Sequence, residues 1–362
     1  MASSPNASSL SQPEQDPAVG VEAIISRRGS ASRLPSMLCW AYALAAVGIV
    51  AVMRIAGDRW WVATLLLFSP RWIWVAPLPV LVLIVFLRRR WKLLRPIIIS
   101  GVIVLFGVME FQLPWRQVVS HGSGKQTLRL VTCNLHNIES DPNILNAFVS
   151  ETNPDIILLQ DYTWQREPLI TQQRGWHRYP YNGMYVASRY PFGEFENLLS
   201  VDSRAVEYER LGLLLGNAHC YVVDMPGGPF HLINLHLASA HRSLAVLRQG
   251  NPFGPELMAA NSERRREEST AISARVSEIG GPFIIAGDFN TPDDSPIFRD
   301  AWRGLRDGFS DAGFGFGTTY AKHHTWLRID HVLSNDGWRC IECRTGPDVG
   351  SGHRPIIAVF ER

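Results

Sequence analysis

The sequence predicts an α/β domain with mixed β-sheets covered on both faces, carried behind three transmembrane helices. Three observations predict it. Residues 37–115 hold three apolar runs almost free of charge. From Thr127 onward, short apolar runs alternate with turns and helical patterns. Six of those runs carry a carboxylate, amide or imidazole at one end: the first four at or just past the C-terminal end, the last two near the start. All six polar ends meet at one rim only if the last strands run opposite to the others, which makes the sheets mixed rather than doubly wound and parallel.

Residues 1–36 are rich in Ser, Pro, Ala and Gln without apolar periodicity, which reads as a disordered tail on the cytoplasmic side. The run Met37–Ala56 carries no charge until Arg54, and about 20 apolar residues suffice to cross a bilayer. A second span is expected at Trp72–Leu87, extended by the apolar "WWVATLLLF" before it, and a third at Pro96–Trp115. Arg27, Arg28 and Arg33 precede the first span, and Arg88, Arg89, Arg90, Lys92 and Arg95 fill the turn between the second and third. The positive-inside rule places both groups in the cytoplasm and the C-terminal part outside it. That makes the chain multi-pass in the cytoplasmic or inner membrane. Residues 116–126 read as a linker and 127–362 as one extracytoplasmic domain.

Charge divides the same way. Residues 1–115 hold 11 Lys/Arg against 5 Asp/Glu (+6), and residues 116–362 hold 24 against 28 (−4). A mildly acidic domain lacks the basic stripe that nucleic acid requires, so nucleic acid is disfavoured as a partner. The five cysteines show no zinc spacing. Cys340 and Cys343 stand at an odd offset on a strand, which points them to opposite faces, as small buried residues.

Within the domain, "TLRLVTCNLHN" is a strand ending at Asn134, and "DPNILNAFVSETNPD" a helix with Asp141 as N-cap and Pro142 in its first turn. "DIILLQDYTW" ends at Gln160 and Asp161. "FHLINLHLAS" carries Asn234 and His236. Glu256–Ile279 is a charged helix stopping at Gly280–Gly281, with "ERRREE" expected to face solvent. "PFIIAGDFNTP" breaks into Asp288, Asn290 and Pro292, and the last two strands begin near Asp330 and His353. Each polar residue alone could be a cap, a turn residue or a hydrogen-bonded core group. Their recurrence at matching strand ends is what points to a site.

Together "TCNLHN", "IILLQD", "INLHLAS", "AGDFNTP", "RIDHVLSN" and "SGHRPI" make residues 127–362 resemble the endonuclease/exonuclease/phosphatase superfamily. The resemblance implies two β-sheets packed as a sandwich flanked by helices, with a phosphohydrolase site at one edge. It implies that Asn134 and Asp161 help hold a divalent metal, with Asp161 standing where the family usually has glutamate. It implies that His236 contacts the scissile phosphate, and that Asp288 and Asn290 orient or deprotonate water and bind phosphate. It further implies that Asp330 pairs with His353, which serves a phosphate oxygen or proton transfer. One departure is Gly352, where the family usually has aspartate. Asp348 is the candidate to replace that carboxylate.

The implied ligands are oxygen-rich, which suits Mg²⁺ or Mn²⁺ better than zinc. No side chain stands out as a covalent nucleophile, so direct hydrolysis of a phosphoester or phosphoanhydride is expected. The three-span layout resembles that of family members acting on undecaprenyl pyrophosphate. It favours a membrane-anchored lipid (pyro)phosphate phosphatase, with an extracytoplasmic nuclease or phosphodiesterase, or a non-catalytic binding module, as alternatives.

Overall fold

The central strands here are short apolar segments buried on both faces, as layered sheets between helices demand, while edge strands such as His177–Tyr181 are exposed. In the computed structural model, which describes residues 17–114, 126–136, 142–199, 205–322 and 325–362, twelve strands form two six-stranded sheets. The first comprises β1 (Thr127–Asn134), β2 (Ile156–Gln160), β3 (His177–Tyr181), β4 (Met184–Ser188), β11 (Arg339–Thr345) and β12 (Ile356–Glu361), in the order β11-β12-β1-β2-β4-β3. The second comprises β5 (Phe192–Asn197), β6 (Asn217–Val223), β7 (Phe230–His236), β8 (Phe283–Asp288), β9 (Arg306–Asp307) and β10 (Asp330–Ser334), in the order β5-β6-β7-β8-β10-β9.

Each sheet has one parallel pair at its centre, β1 with β2 and β7 with β8, and antiparallel neighbours outside it. The expectation of mixed sheets whose late strands run against the early ones holds. Leu128, Leu130, Leu158, Leu232, Ile284, Val332, Trp338 and Phe360 fill the layer between the sheets. Helix Pro142–Thr152 covers the outer face of the first sheet through Leu145, Phe148 and Val149. Helix Gly254–Ser277 covers the second through Ile272 and Val276. Gln160 and Asn234 do not reach the rim. Gln160 Nε2 donates to Asn234 Oδ1 at 2.7 Å, which ties the two sheets together inside the sandwich.

The chain divides into two units, one of Met1–Ala45 with Val75–Gly101 and one of Ala46–Trp74 with Val102–Arg362. In the smaller, Cys39, Leu81, Val85 and Ile97 pack together. The first helix begins at Pro17, inside the segment expected to be tail; Asp141, the expected N-cap, lies outside the described residues, as does most of the expected linker. Two helices, Arg33–Arg59 and Trp91–Val108, are long and apolar enough to cross a membrane. The expected middle span is instead broken into Trp61–Leu67 and Arg71–Leu87, bent by 84°. Pro70 sits at the break, where its ring and missing N–H end the helix.

Two further expectations change. A β-bulge between Cys340 and Glu342 shifts the register of β11. Cys340 and Cys343 therefore share one face of the inter-sheet core rather than opposite faces, and both are free thiols. The "ERRREE" segment is not a solvated face. Arg264, Arg265 and Glu268 are buried within it: Arg264 pairs with Glu268 one turn on, Arg265 Nη2 donates to Asp58, and Glu268 accepts the Gly216 and Ala238 amides.

Candidate active site

Topology alone gathers the polar strand ends. The antiparallel register of β1 and β12 pairs Thr132 with Ile356, so the residues just before β12 arrive beside Asn134. The parallel register of β7 and β8 sets His236 level with Asp288, and the antiparallel β8–β10 pair sets Asp288 opposite Asp330. Gly287 permits this. At φ +143° a β-carbon there would lie 2.0 Å from the Leu235 carbonyl oxygen, so only glycine lets β8 pass β7 this closely. Asp161 and Asn290 adopt left-handed backbone (φ 49° each), which turns the chain sharply off the ends of β2 and β8.

The side chains form one connected set. Asn134 Nδ2 donates to Asp288 Oδ2 at 2.8 Å and lies 3.3 Å from His236 Nε2. His236 Nε2 lies 3.7 Å from Asp288 Oδ2, and its Nδ1 lies 3.4 Å from Asp161 Oδ1. The Asn290 amide N–H donates to Asp288 Oδ1 at 2.7 Å, and Asn290 Nδ2 donates to the Leu237 carbonyl at 2.8 Å. His353 Nδ1 meets Asp330 Oδ2 at 2.8 Å, and its Nε2 lies 3.8 Å from Asp288 Oδ2. Asn134, Asp288, Asp330 and His353 are buried, whereas the Asp161 side chain is 39% exposed at the mouth.

Charge decides the protonation states. Burial alone would lower the His353 pKa, but Asp330, then Asp288, and the Asp330 hydrogen bond outweigh it and raise it to about 9. His353 is therefore an imidazolium at neutral pH, held by Asp330 through Nδ1 with Nε2 left toward Asp288. The Asp288 carboxyl is pushed up by burial and by Asp330, only partly offset by His353, His236 and the Asn134 hydrogen bond. Burial would also raise Asp161, but the His136 hydrogen bond and the charges of His236 and His136 leave it below its ordinary range. The cleft thus pairs a readily ionised carboxylate at its mouth with a carboxyl of raised proton affinity and a charged imidazole inside.

All seven expected residues, Asn134, Asp161, His236, Asp288, Asn290, Asp330 and His353, fall in this cleft. Three more were missed. His136 Nδ1 lies 3.5 Å from Asp161 Oδ2. Ser351 Oγ donates to the Asn134 carbonyl at 2.6 Å and accepts the His353 amide at 3.0 Å. Tyr320 packs its ring 5.1 Å from that of His353. "TCNLHN" and "SGH" contained the first two; nothing near Tyr320 marked it. Asp348 is exposed and accepts the Gly350 amide at 2.7 Å, capping a turn. The space beside Gly352 is taken by Lys322, whose Cε and Nζ lie 2.6 and 2.9 Å from where a β-carbon would be. A cationic side chain stands where an added carboxylate was sought.

The donor set fits a hard divalent cation. One carboxylate oxygen each from Asp288 and Asp330 lie within 4.8 Å of each other, and Asp330 Oδ1 is buried with no hydrogen-bond partner, whereas His353 as an imidazolium offers no lone pair to a cation. Asp161 and Asn134 add a carboxylate and an amide oxygen beside them, giving the oxygen-rich set such ions prefer.

This sandwich with its rim of acid, amide and imidazole groups defines a phosphoesterase-type fold. The Endonuclease/Exonuclease/phosphatase family matches residues 131–352, and the chain belongs to that family. Its members are phosphoesterase hydrolases, generally metal-dependent. Among solved structures, the chain is similar to a humanized D. rerio TDP2 with 14 mutations at 14% identity, covering 65% of this chain and 99% of that one (TM-score 0.48). It is similar to an endonuclease/exonuclease/phosphatase from Bacteroides vulgatus at 16% identity, covering 66% and 99% (TM-score 0.49). A third, from Beutenbergia cavernae, is 19% identical, covering 66% and 72% (TM-score 0.48). No curated protein matches the chain.

Proposed function

We propose that this chain is a membrane-anchored, Mg²⁺- or Mn²⁺-dependent phosphohydrolase, and that its substrate is a lipid (pyro)phosphate presented outside the cytoplasm. The observation that carries the hydrolase reading is the Asp330–His353–Asp288 constellation beside Asn134 and Asp161. A cation held by Asp161 and Asn134 supplies Lewis-acid polarisation of a phosphoryl oxygen when bound. The chain's own groups do the rest. Asn134 and His236 orient Asp288, which aligns water and takes up its proton, a role suited to a carboxyl held above its ordinary range. His353, kept charged by Asp330, donates from Nε2 to an oxygen of the phosphate. Asn290 stays fixed on the Leu237 carbonyl through Nδ2 and holds Asp288 Oδ1 through its backbone N–H.

The lipid reading is supported by what adjoins the cleft. Met53, Leu67, Phe68 and Val108, from the apolar segments, share one core cluster with Leu327, Ile329 and Tyr320. Ile329 precedes Asp330, and Tyr320 touches the His353 ring. A phosphate tethered to a lipid tail arrives at such a mouth without leaving the bilayer surface. The experiment is phosphate release by the full chain in detergent, with Mg²⁺, across a polyprenyl pyrophosphate, a polyprenyl monophosphate and plasmid DNA. Release from the lipids supports the reading. Nicking of DNA without lipid turnover replaces it by the nuclease alternative, and inertness toward all three with the fold retained favours a binding module.

A further inference from the structure

Asp288 and Asn290 run directly into the loop Thr291–Ser295, and that loop is fastened from behind by charges drawn from far along the chain. Arg71 Nη2 donates to Asp294 Oδ1 at 2.7 Å, its Nη1 donates to the Val108 carbonyl at 3.1 Å, and the same nitrogen lies 3.0 Å from Glu110. Asp58 accepts a hydrogen bond from Ser295 Oγ and a second from Arg265 Nη2 at 2.9 Å. Ser295 in turn caps the helix Pro296–Ala301, its Oγ accepting the Ile297 and Phe298 amides. Asp293 is paired with Arg328, which also donates to Asp307 at 2.5 Å. Asp58, Arg71, Arg265 and Asp294 are all buried.

Glu110, Asp293 and Asp294 lie close enough to share a cation. Arg71 faces Glu110 and Asp294, and Arg328 faces Asp293, so two guanidinium groups offset these three carboxylates in part. A buried ion pair adds little net stability over apolar packing of the same volume, but it fixes direction, and losing one partner strands a buried charge. Apolar packing lets a loop slide; three charge-assisted bonds, one to each of the consecutive residues Asp293, Asp294 and Ser295, do not.

We propose that Asp58 and Arg71 are positioning residues of the active site: charges on the apolar N-terminal segment hold the loop that carries Asp288 and Asn290 in register with His353. The apolar segment is then part of the catalytic apparatus and not only an anchor. For its kinetic arm this rests on the hydrolase reading; for its structural arm it does not.

The test uses the full chain in detergent, comparing wild type, Arg71→Met, Asp58→Asn, and the triple variant Arg71→Met/Glu110→Gln/Asp294→Asn, in which no charge is left stranded. Hydrogen–deuterium exchange of the 289–298 amides is read beside kcat and KM. The expected result is lost protection confined to 289–298 in both single variants, with kcat lowered about 100-fold at little-changed KM, as a displaced catalytic group causes. Protection and kcat stay low in the triple variant, because the bond that holds the loop is gone although no charge is stranded; recovery there overturns the proposal for Arg71, since stranded charge alone then explains the single variant. Unchanged loop protection in both singles overturns the proposal whatever the activity. Loss spread evenly over both sheets also overturns it, since that is a purely global role. If Arg71→Met cannot be purified, Arg71→Lys, which keeps the cation but loses the two-pronged bond, is read by the same criteria. Should no substrate be turned over by wild type, the exchange arm alone decides.

Discussion

Two clusters of buried charge flank one stretch of chain. In front of residues 288–295 lies the cleft of Asn134, Asp161, His236, Asp288, Asp330 and His353; behind them lies the group of Asp58, Arg71, Glu110, Arg265, Asp293, Asp294 and Arg328. Both bury carboxylates, yet they differ in how those are satisfied. In the cleft, Asp330 Oδ1 has no partner, Asp161 is partly exposed, and two imidazoles face Asp288 at 3.7 and 3.8 Å, too long for direct hydrogen bonds. Behind the loop, each of the carboxylates Asp58, Glu110, Asp293 and Asp294 has an arginine beside it. Neither cluster is fully satisfied, since Arg71 Nε, Arg265 Nη1, Asp293 Oδ1 and Asp294 Oδ2 are also buried without a partner; the difference lies in the countercharge, which is permanent guanidinium behind the loop and titratable imidazole in the cleft.

The contrast breaks most sharply at Asp288. Asp288→Asn keeps the shape and the Asn134 contact region but removes the proton acceptor, and turnover in the phosphate-release assay falls about 10²–10⁴-fold, as for other general bases. A loss under tenfold would place the base elsewhere. Next comes the cation. Chelation abolishes turnover, and Asp161→Ala raises the Mg²⁺ concentration for half-maximal rate while changing the thermal midpoint little, because this side chain is partly exposed and its contacts with His136 and His236 are long. An unchanged Mg²⁺ requirement would remove Asp161 from the ligand set.

Asp330→Asn is expected to act less strongly. It leaves His353 in place but withdraws the charge that raises its pKa, so the alkaline limb of the pH–rate profile moves toward lower pH. An unmoved limb would assign that limb to another group. The smallest effect belongs to Gly352→Asp. The new side chain must displace the flexible end of Lys322 and then pairs with it. A surface-type pair is worth at most about 1 kcal/mol, so stability stays within that range and Mg²⁺ affinity changes little. A large gain in Mg²⁺ affinity would show that Gly352 marks a lost ligand instead.

The cleft was legible in the sequence because its residues sit at strand ends within short local motifs, and the alternation of direction between early and late strands is a pattern the residues themselves carry. Asn134, Asp288 and His353 come from three such motifs, and sheet register brings them together. The support was not legible. Arg71 and Asp294 are 223 residues apart, Asp58 and Arg265 are 207 apart, and no local pattern pairs them. Read locally, "ERRREE" is a solvated face and Asp58 and Arg71 are loop charges between apolar runs; only packing of 46–74 into the same unit as the sheets buries them. Likewise the offset of Cys340 and Cys343 reads as two faces, and one inserted residue in β11 reverses that. The break at Pro70 is not read from the sequence either: the apolar run before Trp72 reads as an extension of the second span, and an 84° bend divides the two.

The most direct test of the central claim, that His353 charged by Asp330 works opposite Asp288 in this cleft, is the pH dependence of turnover in wild type and His353→Gln. A histidine raised from 6.5 to about 9 keeps its proton until the pH passes the higher value. By the same linkage, its contribution to stability is full below about pH 6.5 and is lost as pH rises through about 9. Wild-type turnover should therefore hold through neutral pH and fall as pH passes about 9, with His353→Gln low and without that limb. A His353→Gln variant that turns over at the wild-type rate, or that keeps the same alkaline limb, would contradict the account.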